Sequence, residues 1–89
     1  MWYDEYIECV PGVQGGYPIV AGTRTPVRTI VLLAHRTYQD EPERVAWSLP
    51  HLTERQIEAA LAYYRDHPST VDEDIERQEK LMHDLLIAQ

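Results

Sequence analysis

The sequence predicts a mainly α-helical fold. It reads as a three-helix, homeodomain-like helix-turn-helix unit with a short N-terminal β-ribbon before it and an amphipathic helix after it. Three observations carry this reading. Apolar residues recur at helical spacing in three successive runs between residues 25 and 66. Glycines and prolines crowd residues 11–26 around two short β-like runs. Beyond Pro68, apolar residues again keep to one side of a long acidic stretch.

The first β-like run is Tyr6-Ile7-Glu8-Cys9-Val10, stopped by Pro11-Gly12, and the second is Pro18-Ile19-Val20-Ala21, bounded by Gly16 and Gly22. A two-stranded ribbon is marginal alone in water, so it must pack on the helices or pair across a dimer. Thr25-Pro26 reads as a helix start, because Thr caps free N–H groups and Pro loses nothing at the first helical position. The first helix runs to about Tyr38, with Val27, Ile30, Val31 and Ala34 inward. Asp40-Glu41-Pro42 opens a second, shorter helix with Val45, Ala46 and Leu49 inward, and Pro50 ends it. Thr53-Glu54-Arg55-Gln56 is a capping box, and Leu52 and Ile57 stand where a hydrophobic staple places its two residues. The third helix buries Ile57, Ala60, Leu61 and Tyr64 and closes at Asp66-His67-Pro68. A fourth helix begins near Ser69–Asp72 with Val71, Ile75, Met82, Leu85 and Leu86 on its apolar side. The short connection from Leu49 to Leu52 is compatible with a helix-turn-helix that has residues 53–66 in the recognition position. Three short helices also occur in domains that never touch DNA.

At 89 residues the chain has room for one small domain. A domain of this size buries only about 60% of its unfolded surface and gains from association. The expected organisation is one unit over 1–67 and an acidic, partner-docking helix over 68–89. The single cysteine, Cys9, excludes an intrachain disulfide and fits a reducing compartment, so a cytoplasmic location is expected. Cys9 lies in a strand-like run and is expected to be buried. No apolar run approaches the roughly 20 residues a membrane span needs, and no membrane role is expected.

The net charge of −7 divides as −3 over residues 1–21, +1 over 22–55 and −5 over 56–89. An acidic whole argues against tight, nonspecific nucleic-acid binding, while the arginine-bearing middle keeps a narrow DNA surface open. Arg24, Arg28, Arg44 and Arg55 are the candidate DNA contacts, although each can equally pair with a neighbouring acid. On the presumed recognition helix Glu54, Arg55, Glu58, Ala59, Ala62 and Tyr63 are expected to face outward. The acidic tail suits a basic partner, with Val71, Ile75, Met82, Leu85 and Leu86 as the docking stripe; folding back onto the domain is the competing reading.

Enzymatic readings fare poorly. The Gly-rich loop leads into Arg24-Thr25-Pro26, where a phosphate-binding loop needs Lys followed by Ser or Thr, and the dinucleotide spacing is absent. His35, His51, His67 and His83 have no zinc-site spacing. No Ser or Cys stands in a recognisable nucleophile setting. No metal, cofactor or catalytic residue is expected.

Three ordered blocks carry a family resemblance. They are Gly15-Gly16-x-Pro18-Ile19-Val20-x-Gly22-Thr23-Arg24-x-Pro26-Val27, then Pro50-x-Leu52-Thr53, then Ala59-Ala60-Leu61-x-Tyr63-Tyr64 before Pro68. Through them residues 7–68 resemble the bacterial and archaeal family catalogued as domain of unknown function 433. The helical part of that family looks like homeodomain-like or winged-helix DNA-binding proteins, and its members are commonly regarded as VapB-type antitoxins. The resemblance implies a protein that neutralises a PIN-like ribonuclease toxin encoded nearby and represses its own operon by binding operator DNA. A homodimer is expected from the marginal ribbon and the small core. A stand-alone helix-turn-helix regulator and a structural homo-oligomer without a DNA role are the alternatives. The chain departs from the family at Tyr17, where a Lys is usual. It departs again at Arg36–Pro42, where a Gly-containing turn is usual.

Overall fold

The computed structural model describes residues 1–36 and 41–87. The N-terminal turn, Trp2–Tyr6, is a short 3₁₀ helix. Two strands follow, β1 (Ile7–Glu8) and β2 (Ile19–Val20), and then four helices: α1 (Val27–Arg36), α2 (Pro42–Ser48), α3 (Glu54–Asp66) and α4 (Pro68–Ile87). The protein is thus mainly helical with one small antiparallel ribbon, in which Ile7 faces Val20 and Glu8 faces Ile19.

The ribbon survives at two residues per strand because it is not alone. Ile19 and Val20 are buried, and Val20 joins the core made by Val27, Ile30 and Val31 of α1 with Ile57 and Ala60 of α3. Ile19 also bridges to Pro26, and the Val27 N–H donates to the Pro18 carbonyl at 3.0 Å. These bonds weld the ribbon to the first turn of α1. Helix α1 accordingly starts at Val27, and the Thr25 hydroxyl shares a 2.7 Å hydrogen bond with His51 Nε2 rather than capping.

Helix α3 begins as its sequence dictates. Gln56 N–H donates to Thr53 Oγ1 at 3.1 Å, and Thr53 N–H donates to Gln56 Oε1 at 2.7 Å. The staple residues Leu52 and Ile57 are both buried. Helix α2 opens with Pro42 in its first turn and buries Val45. The predicted end of α1 at Tyr38 and the contribution of Asp40 to α2 lie outside the described residues.

Three expectations are corrected. Cys9 is exposed, because β1 ends before it. Ala59 and Ala62 are buried, because Tyr3 of the N-terminal turn lies against them with its ring 5.9 Å from that of Tyr63. The face of α3 expected to look outward is therefore half covered. Helix α4 also starts earlier than expected, at Pro68, so that only His67 separates it from α3.

Candidate functional site

Residue Asp74 organises the region where α4 meets the Gly-rich loop. Its side chain is 1% exposed, and a buried carboxylate needs compensation. Two arginines supply it. Arg28 of α1 donates through Nη1 to Oδ2, and Arg77 of α4 donates through Nη2 to Oδ1, both at 2.8 Å. The loop between the strands closes the cluster. Arg28 Nη2 donates to Gln14 Oε1 at 3.0 Å, and Arg77 Nη2 donates to the Gln14 carbonyl at 3.3 Å. Gln14 has φ of 50°, a left-handed conformation that costs a non-glycine residue about 1 kcal/mol or more. The bonds to both arginines, and one from Gln14 Nε2 to the Arg24 carbonyl, offset that strain.

The same loop grips α4 at two further points. The Arg77 guanidinium carbon lies 4.9 Å from the Tyr17 ring centroid, and the Tyr17 hydroxyl donates to Glu73 at 3.0 Å. At Gly15, φ is 66° and a Cβ would stand 3.2 Å from that guanidinium carbon, so a side chain here would strain the backbone and press on Arg77. From the other side Tyr64 of α3 donates to Asp72 at 2.7 Å. These bonds to carboxylates push the Tyr17 and Tyr64 hydroxyl pKa values above the usual 10.0, with burial adding to the effect. The Gly-rich loop is thus a clasp for α4.

Past this clasp α4 is bare. Val71 is buried and Ile75 half-buried on the core, but Leu81, Met82, Leu85, Leu86 and Ile87 are 46–70% exposed. Among the described residues, the last outward bond of α4 to the domain is an exposed one, from Arg36 to Glu79 at 3.2 Å. The docking stripe read from the sequence therefore divides: Val71 and Ile75 hold the domain, while Met82, Leu85 and Leu86 face solvent.

The four candidate DNA-contacting arginines occupy different settings. Arg28 is turned inward on Asp74. Arg44 pairs with Glu41 at 2.8 Å, and Arg55 pairs with Glu58 at 3.4 Å while its guanidinium carbon sits 3.9 Å from the Trp2 ring centroid. Arg24 is exposed, with no side-chain partner among the described residues.

The N-terminal turn fixes one wall of a groove of about 510 Å³. Tyr3 anchors the turn by donating to Asp66 at 2.6 Å, which together with burial pushes its own pKa up to about 12. Trp2 then lines the groove together with Glu58, Leu61 and Arg65, which follow one stripe of α3. His35 and Tyr64, in edge-to-face contact at 5.6 Å, line it too, and Pro68 marks where α4 departs.

Sequence reasoning missed Asp74, Arg77, Gln14 and Trp2. Asp74 was detectable in one respect: it stands three residues after Val71 and one before Ile75, on the core stripe rather than on the polar face. Among the described residues no group of three or more His, Cys, Asp or Glu side chains is placed to hold a metal ion, and no helix is long and apolar enough to cross a membrane.

A small helical bundle, fronted by a β-ribbon whose glycine loop clasps the last helix, is the class that the fold defines. The chain belongs to the family described as "Protein of unknown function (DUF433)", whose profile matches residues 7–64. It is similar to a DUF433 member protein from Anabaena variabilis ATCC 29413, known from a crystal structure. The identity is 32% and the TM-score 0.67, over 84% of this chain and 72% of that one. No curated protein matches the chain.

Proposed function

We propose that this protein is antitoxin-like: it binds and neutralises a PIN-like ribonuclease toxin through α4. The resemblance set out from the sequence supplies the toxin class. The observation that carries the docking role is the second half of α4, which leaves the domain with five large apolar side chains in solvent. Contiguous apolar surface of this kind marks an interaction site. The exposed acids Asp72, Glu73 and Glu76 on the same helix favour a basic partner. Neutralisation would follow by occlusion, with α4 covering the toxin's active site or displacing its RNA.

Repression of its own operon is the subsidiary part of the proposal. Three of the four candidate arginines already hold carboxylates, and Tyr3 occupies part of the α3 face that a recognition helix would offer. Of the four, Arg24 is the one whose side chain has no partner among the described residues. This balance favours protein binding over a stand-alone regulator.

Co-expression with the product of the adjacent gene tests the reading. The full chain should co-purify with that protein and quench its ribonuclease activity, and a chain ending at Gln78 should do neither. Equal capture by the shortened chain would remove α4 from the docking role. A promoter gel shift across salt concentrations tests the DNA component, which the absence of any salt-dependent shift would reject.

A further inference from the structure

We propose that the groove between Trp2 and α3 receives the distal arm of α4, residues 80–87, from a second copy of this chain. The resulting dimer exchanges arms about a twofold axis.

The two surfaces are complementary and unsatisfied. The arm offers Leu81, Met82, Leu85 and Leu86, all at least 46% exposed. The groove offers about 510 Å³ lined by Trp2, Leu61 and Pro68, with room for several aliphatic side chains. Charge matches at both. Residues 80–87 contain one base, Lys80, and one acid, Asp84, so the arm itself is balanced although the chain is acidic. The groove carries one acid, Glu58, and one base, Arg65. Among the described residues Arg65 makes no ion pair, and the one Glu58 makes is a long contact to Arg55 at 3.4 Å.

The arm cannot fill its own groove. Pro68 lines the groove and opens α4, so at 1.5 Å per residue Leu85 lies about 25 Å away along a continuous helix. An antiparallel second copy resolves this. It sets the end of one α4 beside the beginning of the other, so both arms meet both grooves in a single closed contact. Each copy then covers the apolar surface the other leaves bare. The inference does not depend on the toxin reading, since the chain alone should dimerise. If the toxin uses the same arm, it must displace the second copy.

Sedimentation equilibrium and chemical cross-linking of the full chain test the proposal. The wild-type protein should run at twice its 10.4 kDa mass. Leu85→Asp, on an exposed side chain, should run as a monomer with an unchanged circular dichroism spectrum. In a Cys9→Ser background, the pair Arg65→Cys and Asp84→Cys should form a disulfide between chains. Those positions lie too far apart along one chain to bridge. Arg65→Glu should weaken the dimer at least tenfold, and adding Asp84→Arg should restore it. A wild-type monomer at every attainable concentration would overturn the proposal. So would a Leu85→Asp chain that remains a dimer, which would place the contact elsewhere, such as at the ribbon. Toxin capture by a strictly monomeric wild-type chain would overturn it while leaving the toxin reading intact.

Discussion

The two halves of α4 continue one stripe of the same helix, yet they live in opposite environments. In the first half Val71, Asp74 and Ile75 face the domain; Arg28 and Arg77 hold Asp74, and Tyr17 and Tyr64 hold Glu73 and Asp72. In the second half Leu81, Met82 and Leu85 continue along that stripe at 46–63% exposure. Helical periodicity is the same in both, so periodicity does not distinguish a core face from a docking face. Among the described residues, what distinguishes them is how far the domain's contacts reach: the farthest along α4 is the ion pair of Arg36 with Glu79.

The largest way to break this contrast is Asp74→Ala. It would leave two arginines near a buried position without their counter-charge, at a cost of about 3 kcal/mol. Urea denaturation should show the loss, and the first half of α4 should come off the core. Asp74→Asn should cost less, because the amide oxygen still accepts from one arginine.

Substitution of glycine in the clasp is the next largest. Gly15→Ala meets both a left-handed backbone and the Arg77 guanidinium, and should cost roughly 2 kcal/mol. Gly12→Ala, with φ of 83° and open space around it, should cost about 1 kcal/mol from the backbone alone. Equal thermal shifts for the two would show that the loop does not grip α4 through Arg77.

Alkaline pH sharpens the contrast through the tyrosines. Tyr17 and Tyr64 have folded pKa values raised above 10.0 by the carboxylates they donate to. A raised folded pKa means stability that is complete below about pH 10 and falls as pH rises beyond it. Tyr3, raised to about 12, extends the fall toward that pH. The wild-type melting temperature should therefore drop more steeply above pH 10 than that of the Tyr17→Phe, Tyr64→Phe double variant. The smallest expected effect on stability, measured in dilute solution where the chain is monomeric, is that of Leu85→Asp, within about 0.5 kcal/mol, because this side chain has no packing to lose within its own chain.

Much of the fold was legible because its signals are local. The Thr53–Gln56 capping box, the Leu52–Ile57 staple and the Val27–Ile30–Val31–Ala34 stripe each depend on neighbours within one or two turns. The clasp was not legible, since its bonds join residues distant in sequence. Arg28 and Asp74 are 46 positions apart, and Gln14 and Arg77 are 63 apart. The Gly-rich loop read as a turn, as the structure has it, but its task of gripping α4 depends on Arg77, which no local pattern connects to it. Tyr3 was missed for the same reason. Its partner Asp66 lies 63 positions away, and the small residues Ala59 and Ala62 that receive its ring read as a bland outer face.

Amide hydrogen exchange along α4, measured over a range of protein concentrations, tests the central claim that one half is latched and the other is an interaction surface. Amides of residues 71–79 should exchange slowly at every concentration. Those of 80–87 should exchange fast in dilute solution and slow down as the chain associates. Slow exchange along the whole helix in dilute solution would contradict the account, as would a distal half whose protection never responds to concentration.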